Sequence, residues 1–315
     1  MAFISICIPA YRRTNFLERL LESISKQTFK DFEVIVTDDS PDDSVSDLCN
    51  VYKEDLGLHY FKNKISLGTP ANWNEGISRA KGQWIKLMHD DDWFSHEHSL
   101  QAFYEAAINT DAKLICATYS NVYEWDDRVE IQRSTLRERD EILTEPLLLL
   151  SKNIIGPPSV TLVHSSIKER YDTHMKWRVD IDYYIRLIIR EQKVAFIDEA
   201  LVNVGISESQ VTNSCINLPE VELPEGYLLL KKYGTSGLKN IRVYDAWWRI
   251  LRNVGIRRRD EIERYTPSAS WPLVILKMSD QQSVVPGALL KIGAFSKLLM
   301  LGSYLMNRRY LNQNK

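Results

Sequence analysis

Four cysteines, Cys7, Cys49, Cys116 and Cys215, are scattered through 315 residues without a C-x-x-C spacing. That excludes a zinc knuckle and a redox dithiol and leaves ordinary thiols. No uninterrupted apolar run reaches the roughly 18 residues that span a bilayer. The first residues enter a strand-like segment with no basic stretch and apolar core ahead of it, so no signal peptide is expected and the expected compartment is the reducing cytoplasm. Neither sign of charge dominates. With 40 basic against 42 acidic residues the net charge is −2, so no global field draws the chain to nucleic acid, and any electrostatic attraction has to be local. Internal repeats and low-complexity tracts are also missing.

What is present is a globular composition, 44% apolar, enough for a sizeable core. Short β-rich runs alternate with helical spacing. "ISICI" (4–8) is followed by Phe16, Leu17, Leu20, Leu21 and Ile24 at helical intervals, then by "FEVIVT" (32–37). A helix over 43–53, a strand at "LHYF" (58–61), a helix over 70–80 and a strand at "QWIKLM" (83–88) continue the alternation. Helices between apolar strands imply right-handed crossovers and therefore an α/β, Rossmann-like, mostly parallel sheet with helices on both faces. Further on, "KLICATYSNVYEW" (113–125), "PPSVTLVH" (157–164) and "KVAFID" (193–198) read as extended and "YYIRLIIRE" (183–191) as helical. Beyond about residue 216 the pattern is mainly helical. The expected division is 1–93, 94–215 and a helical region 216–315.

In such sheets ligands bind beyond the carboxyl ends of the strands. Three polar clusters fall there: "PAYRR" (9–13), "DDSPDD" (38–43) and "HDDD" (89–92). Three adjacent aspartates, Asp90, Asp91 and Asp92, repel one another unless a cation stands between them. A solvated turn is the plain alternative. In an extended segment Asp90 and Asp92 would point to one side and Asp91 to the other.

The stretch from "ISICIPAYRR" to "TDDSPDDS", followed by "LGTPANWNEGISRAKGQWIKLMHDDDW", resembles the nucleotide-sugar-binding half of family 2 glycosyltransferases, which have the GT-A fold. The likeness is strong over residues 3–93 and weaker to about 215. It implies inverting transfer from a nucleoside-diphosphate sugar, assisted by Mn²⁺ or Mg²⁺, in bacterial surface-polysaccharide synthesis. By the resemblance, Pro9, Ala10 and Tyr11 line the nucleobase pocket, Asp39 accepts from the base imide, Asn74 lies near the nucleotide, Asp90 and Asp91 approach the donor, and Asp91 and Asp92 hold the metal. An acceptor facing the base N–H suits uracil or thymine, hence UDP- or dTDP-sugars. A cation bound by hard oxygen ligands would offset the charge on a departing diphosphate. The family's usual Asp-x-Asp-Asp places its first acid on His89, so the roles within the cluster stay open. Asp39 as a turn residue, Tyr11 as packing and Asp90 as structural are the alternatives.

A sugar hydroxyl needs a general base. "WRVDIDYYIRL" (177–187) offers Asp180 and Asp182, about 200° apart on a helix, so one faces a cleft. Arg186 lies four residues beyond Asp182, an ion-pair spacing, which leaves Asp180 as the base; the family's Glu-Asp pair falls on Val179 and Asp180. Residues 286–315 hold Lys291, Lys297, Arg308, Arg309 and Lys315 with no acid among many leucines, a pattern suited to peripheral contact with an anionic membrane or to a helix packed on the core. The expected partners are a nucleotide-sugar donor, a glycan or lipid-linked acceptor and that membrane, at the cytosolic face of the inner membrane. Two rivals are a sugar nucleotidyltransferase, whose glycine-rich phosphate loop "IPAYRRTN" lacks, and a catalytically silent nucleotide-sugar-binding subunit.

Overall fold

The computed structural model describes residues 2–126, 128–207 and 215–311. The chain divides into two compact units. The first comprises Met1–Thr144, Ile154–Thr173 and Asp182–Glu208, the second Glu145–Asn153, His174–Ile181 and Ser209–Lys315. The second unit therefore draws on two short segments that the sequence reading left in the 94–215 region.

The first unit opens with the expected alternation: β1 (Ile4–Ala10), α1 (Thr14–Ser25), β2 (Phe32–Asp38), α2 (Ser44–Leu56), β3 (Leu58–Lys62), α3 (Ala71–Arg79) and β4 (Trp84–Leu87). It continues with β5 (Trp93–Phe94), α4 (Ser99–Ile108), β6 (Leu114–Tyr123), β7 (Val129–Gln132), α5 (Leu136–Thr144), β8 (Thr161–His164), α6 (Val179–Glu191), whose first turn belongs to the second unit, and β9 (Ala195–Ile206). The strands form one sheet in the order β3-β2-β1-β4-β8-β6-β9-β5, with β7 paired to β6. Strands β1 to β4 are mutually parallel, as the crossovers require, whereas β8 runs antiparallel to β4 and β6 and β5 antiparallel to β9.

Residue alternation puts Ile4, Ile6 and Ile8 into one core with Leu17, Leu20, Leu21 and Ile24 of α1 and Val45 and Cys49 of α2. Burial of each large apolar side chain contributes about 1.5–3 kcal/mol. The other face meets α3, where a Cβ at Gly76 would lie 3.3 Å from Thr37 Oγ1 and 3.5 Å from Cys7 Cβ. Helices thus cover both faces. Ala10 is in register with Asp38 and Cys7 with Leu87. The loops after β1, β2 and β4 consequently leave the same sheet edge, and β1 is the strand from which the order runs out both ways, the place where α/β sheets bind ligands.

The second unit contains α7 (Pro219–Tyr233), α8 (Ile241–Val254), α9 (Arg259–Tyr265), α10 (Leu273–Ser283), α11 (Gly287–Leu290) and α12 (Gly293–Asn307). Trp247 and Trp248 of α8 are buried, packing residues as their setting in the chain suggests. No helix among the described residues is long and apolar enough to cross a membrane.

Candidate active site

Strand β4 ends at Leu87, and residues 89–92 form a turn closed by Asp92 N donating to the His89 carbonyl at 3.1 Å. The expectation of an extended segment with alternating aspartates is therefore corrected: a turn lets Asp90 and Asp91 share a partner. That partner is Arg13. Its Nε donates to Asp90 Oδ2 at 3.2 Å, one terminal nitrogen donates to Asp90 Oδ1, and the other donates to Asp91 Oδ2 at 3.0 Å.

Arg13 arrives through an abrupt bend between β1 and α1. Arg12 there has a left-handed φ of +62°, a conformation that costs a non-glycine residue on the order of 1 kcal/mol. Arg12 N donates to Ser40 Oγ at 2.8 Å, anchoring the bend to the loop after β2. Ala10 is buried, Pro9 half-buried and Tyr11 exposed.

Three further contacts fix the acidic turn. His89 N donates to Ser159 Oγ at 2.9 Å. Gly205 N of β9 donates to Asp92 Oδ1 at 3.2 Å. Arg19 donates to the Asp91 carbonyl at 3.0 Å and lies over the Trp93 ring, 3.8 Å from its centre. Glycine is required at 205 because a Cβ there would sit 2.5 Å from the Asp91 carbonyl oxygen.

His89, Asp91 and Asp92 each offer a ligand atom, and these atoms lie within 4.8 Å of one another. The His89 ring rests against Trp73, with centroids 4.7 Å apart. Its Nε2 and Asp92 Oδ2 are buried without a hydrogen-bond partner, an arrangement that costs about 1–3 kcal/mol per group unless something fills it. Burial pushes the imidazole down to about 4, so it is neutral at physiological pH, the form that binds metals. Burial and the Asp91 charge raise Asp92 well above the usual carboxylate range. Burial likewise pushes Asp90 up to about 7, with Arg13 pulling it back and Asp91 adding to the rise. Burial opposes the Arg13 charge, but Asp90 and Asp91 outweigh it and hold its pKa above the ordinary arginine value.

Asp38 accepts from Ser40 N at 2.7 Å and from the Tyr60 hydroxyl at 2.7 Å. Asp39 holds the loop 63–68: Oδ1 accepts from Asn63 Nδ2 at 2.8 Å and Leu67 N at 3.0 Å, and Oδ2 accepts from Gly68 N at 2.8 Å. Asn74 has a structural engagement, donating to the Tyr171 carbonyl at 2.8 Å while its oxygen accepts from Tyr171 N at 3.0 Å. Arg186 Nε donates to the fully buried Asp182 at 2.9 Å, the pairing that its spacing requires.

Within the second unit Asp180 is half-buried at the start of α6. Its Oδ1 accepts from Ile181 N at 2.8 Å and its Oδ2 from Asn153 Nδ2 at 3.0 Å. Burial pushes this carboxyl up to about 6 against the pull of the backbone N–H groups of Ile181 and of Asp180 itself and of Arg178. A base of that pKa is deprotonated at neutral pH and still accepts a proton readily.

A family model described as "Glycosyl transferase family 2" matches residues 5–167, more than half of the chain. The chain belongs to this family. It is therefore a glycosyltransferase, of the family's α/β GT-A fold with a helical C-terminal region. Over 224 residues it is 26% identical to the putative colanic acid biosynthesis glycosyl transferase WcaA of Escherichia coli, covering 67% of this chain and 76% of that one. Over 94 residues it is 38% identical to the Campylobacter jejuni GalNAc(5)-diNAcBac-PP-undecaprenol beta-1,3-glucosyltransferase, 29% of this chain and only 30% of that relative's length. Among solved structures, Staphylococcus aureus TarS 1–349 in complex with UDP-GlcNAc superposes with a TM-score of 0.61 at 17% identity, over 99% of this chain and 91% of that one. The Pyrobaculum calidifontis mannosyltransferase PcManGT in complex with GDP-Man and Mn²⁺ gives 0.54 at 13%, over 99% and 88%. These two likenesses concern the fold.

Several residues of this glycosyltransferase's sites escaped the sequence reading. In the sequence His89 stands only where the family has an acid, although its neighbours in the chain include the two acids it meets, Asp91 and Asp92. Lys86, fully buried on β4, donates to the Ser159 carbonyl and lies 4.4 Å from the centre of the Phe103 ring; burial pushes it down to about 7 against the pull of Asp92. Glu225 of α7 accepts from three consecutive backbone N–H groups, Lys176 and Trp177 at Oε1 (2.6 and 3.0 Å) and Arg178 at Oε2 (2.8 Å), and Glu222 pairs with the Arg178 side chain. Only Lys86 carried a local signal, a charge inside the apolar strand WIKL; Glu222 and Glu225 lie in a helix with several other charges and have no such mark.

Proposed function

We propose that this glycosyltransferase moves a sugar with inversion from a UDP- or dTDP-sugar to a hydroxyl of a glycan or lipid-linked acceptor, in surface-polysaccharide synthesis at the cytosolic face of the inner membrane. The observation that carries the donor half is the convergence of His89, Asp91 and Asp92, with two buried unpartnered atoms, at the ligand-binding edge of a parallel sheet. A divalent cation held by these three residues would supply the positive charge that a departing diphosphate needs. One imidazole with two carboxylates suits Mn²⁺ better than Mg²⁺, which favours an all-oxygen shell. The PcManGT complex with Mn²⁺ and the TarS complex with UDP-GlcNAc support a metal and a nucleotide sugar of these kinds.

The remaining residues have roles that follow from their bonds. Arg13 holds Asp90 and Asp91 side by side, so the two acids keep one geometry. Asp39 Oδ2 takes one donor from the loop and a carboxylate oxygen accepts two, which leaves it capacity for a base N–H. Pro9, Ala10 and Tyr11 flank that place at the end of β1. Asp180 takes the proton of the acceptor hydroxyl as its oxygen bonds to the anomeric carbon and the diphosphate leaves. The undecaprenol-linked substrate in the name of the Campylobacter relative favours a lipid-linked acceptor.

Asp180→Asn tests this reading in a mass-spectrometric donor screen with Mn²⁺ and extracted lipid-linked glycans. Transfer should fall by about a thousandfold or more while UDP binding is retained, since removal of a general base commonly costs 10²–10⁴ in rate. Undiminished transfer by the variant would remove Asp180 from the mechanism, and tight donor binding without turnover by the wild type would favour a silent binding subunit.

A further inference from the structure

Helix α12 is turned inside out. Its buried stripe, at helical intervals of four, three and four, is Ser296, Met300, Ser303 and Asn307. Three of these four are polar, and all three are satisfied. Ser296 Oγ accepts from Trp248 Nε1 and from Arg252, both at 3.1 Å. Ser303 Oγ bonds the Tyr244 hydroxyl at 2.6 Å, and Asn307 Nδ2 donates to that hydroxyl at 2.8 Å and to Gln281 Oε1 at 3.0 Å. The network fixes the rotation of the helix, because a turn in either direction would leave buried polar groups unmet.

The opposite side, roughly half a turn away at 100° per residue, carries Leu298, Leu301 and Leu305, flanked by Phe295 and Met306. Leu298 is 68% exposed and Leu305 57%. A surface helix ordinarily faces its apolar stripe to the core, so this reversal aims leucines outward on a scaffold built to keep them there. Along this part of the chain the charge has one sign. Lys291, Lys297, Arg308 and Arg309 are exposed, and no Asp or Glu follows Asp280 in the chain; Lys315 lies outside the described residues.

We propose that the outward face of α12 is a docking surface for an anionic lipid bilayer, with the leucines entering the headgroup and acyl boundary and the cations meeting acidic headgroups. A second copy of the chain is the poorer occupant, because an isologous contact through this face would set Lys297, Arg308 and Arg309 against their own equivalents. The proposal stands on the helix alone and does not depend on the reading of the reaction.

The test is flotation of the full chain with vesicles of phosphatidylcholine alone and of phosphatidylcholine with phosphatidylglycerol, without substrate. The wild type should float with the phosphatidylglycerol vesicles, weakly with the others, and less as salt rises. Combined Leu298→Ser, Leu301→Ser and Leu305→Ser should abolish flotation with an unchanged circular dichroism spectrum. Charge reversal at Lys297, Arg308 and Arg309 should weaken partitioning about fivefold or more for each cation lost. No flotation with either vesicle, or flotation untouched by the leucine substitutions, would overturn the proposal. So would a concentration-dependent dimer in sedimentation equilibrium that those substitutions dissociate while vesicles bind nothing.

Discussion

With Asp180 as the proposed base, one carboxylate would set both rate and stability. Its pKa of about 6 means that kcat/KM for transfer should decline as pH falls below about 6, where the base takes up a proton. The Asn153 amide donates to Asp180 Oδ2 and favours the charged form. In Asn153→Ala the acidic limb of the kcat/KM profile should move to higher pH, with the plateau rate nearly kept; an unmoved limb would show that another group titrates there. Stability follows the opposite sign from an ordinary salt-bridged acid. A folded pKa raised above the unfolded value favours the fold when the group is protonated, and that advantage is lost as pH rises from about 4 to about 6. Asp180→Asn should therefore be more stable than the wild type at pH 8, by on the order of 3 kcal/mol for a carboxyl raised to about 6, and no more stable at pH 4, read by thermal melts at both. What could be read of the site residue by residue was the acid chemistry and the Asp182–Arg186 pair, because adjacency and i,i+4 spacing are local. Arg13 as the partner of Asp90 and Asp91, seventy-seven and seventy-eight positions away, was not legible.

At the scale of elements, a loop or helix start is as precise as whatever holds its backbone. The segment leading into α6 is held by Glu225, which takes three consecutive N–H groups on one carboxylate. Glu225→Ala leaves them without that acceptor, Arg178 N in a buried setting and the other two in partly buried ones. Unfolding of the variant in urea should show a loss of about 3 kcal/mol or more, and Glu225→Gln, which retains one oxygen, a smaller one; a neutral Glu225→Ala would mean that the segment finds other partners. The strands and helices up to β4 were legible because each carries its own periodicity and its own terminators. α4 went unread although Leu100, Phe103 and Ala107 keep helical spacing and are buried. β5 is two residues long and has its pairing only from β9, and β7 and α5 are short and largely polar, so their sequence carries no periodic signal strong enough to read.

For the whole molecule, the parallel half of the sheet brings the loops after β1, β2 and β4 to one edge, and that much topology follows from right-handed crossovers alone. The antiparallel additions and the division into units do not, because they depend on pairings between distant segments. If the turn at 89–92 binds a divalent cation together with a nucleotide diphosphate, as proposed, each ligand must strengthen the binding of the other. Titration calorimetry of UDP with and without Mn²⁺, on the wild type, Asp91→Asn and His89→Ala, measures that coupling. UDP should bind at least tenfold more tightly with Mn²⁺, and both substitutions should remove most of that gain, each lost contact being worth about 1.4 kcal/mol or more. Equal UDP affinity with Mn²⁺ and with chelator, unchanged in both variants, would contradict it.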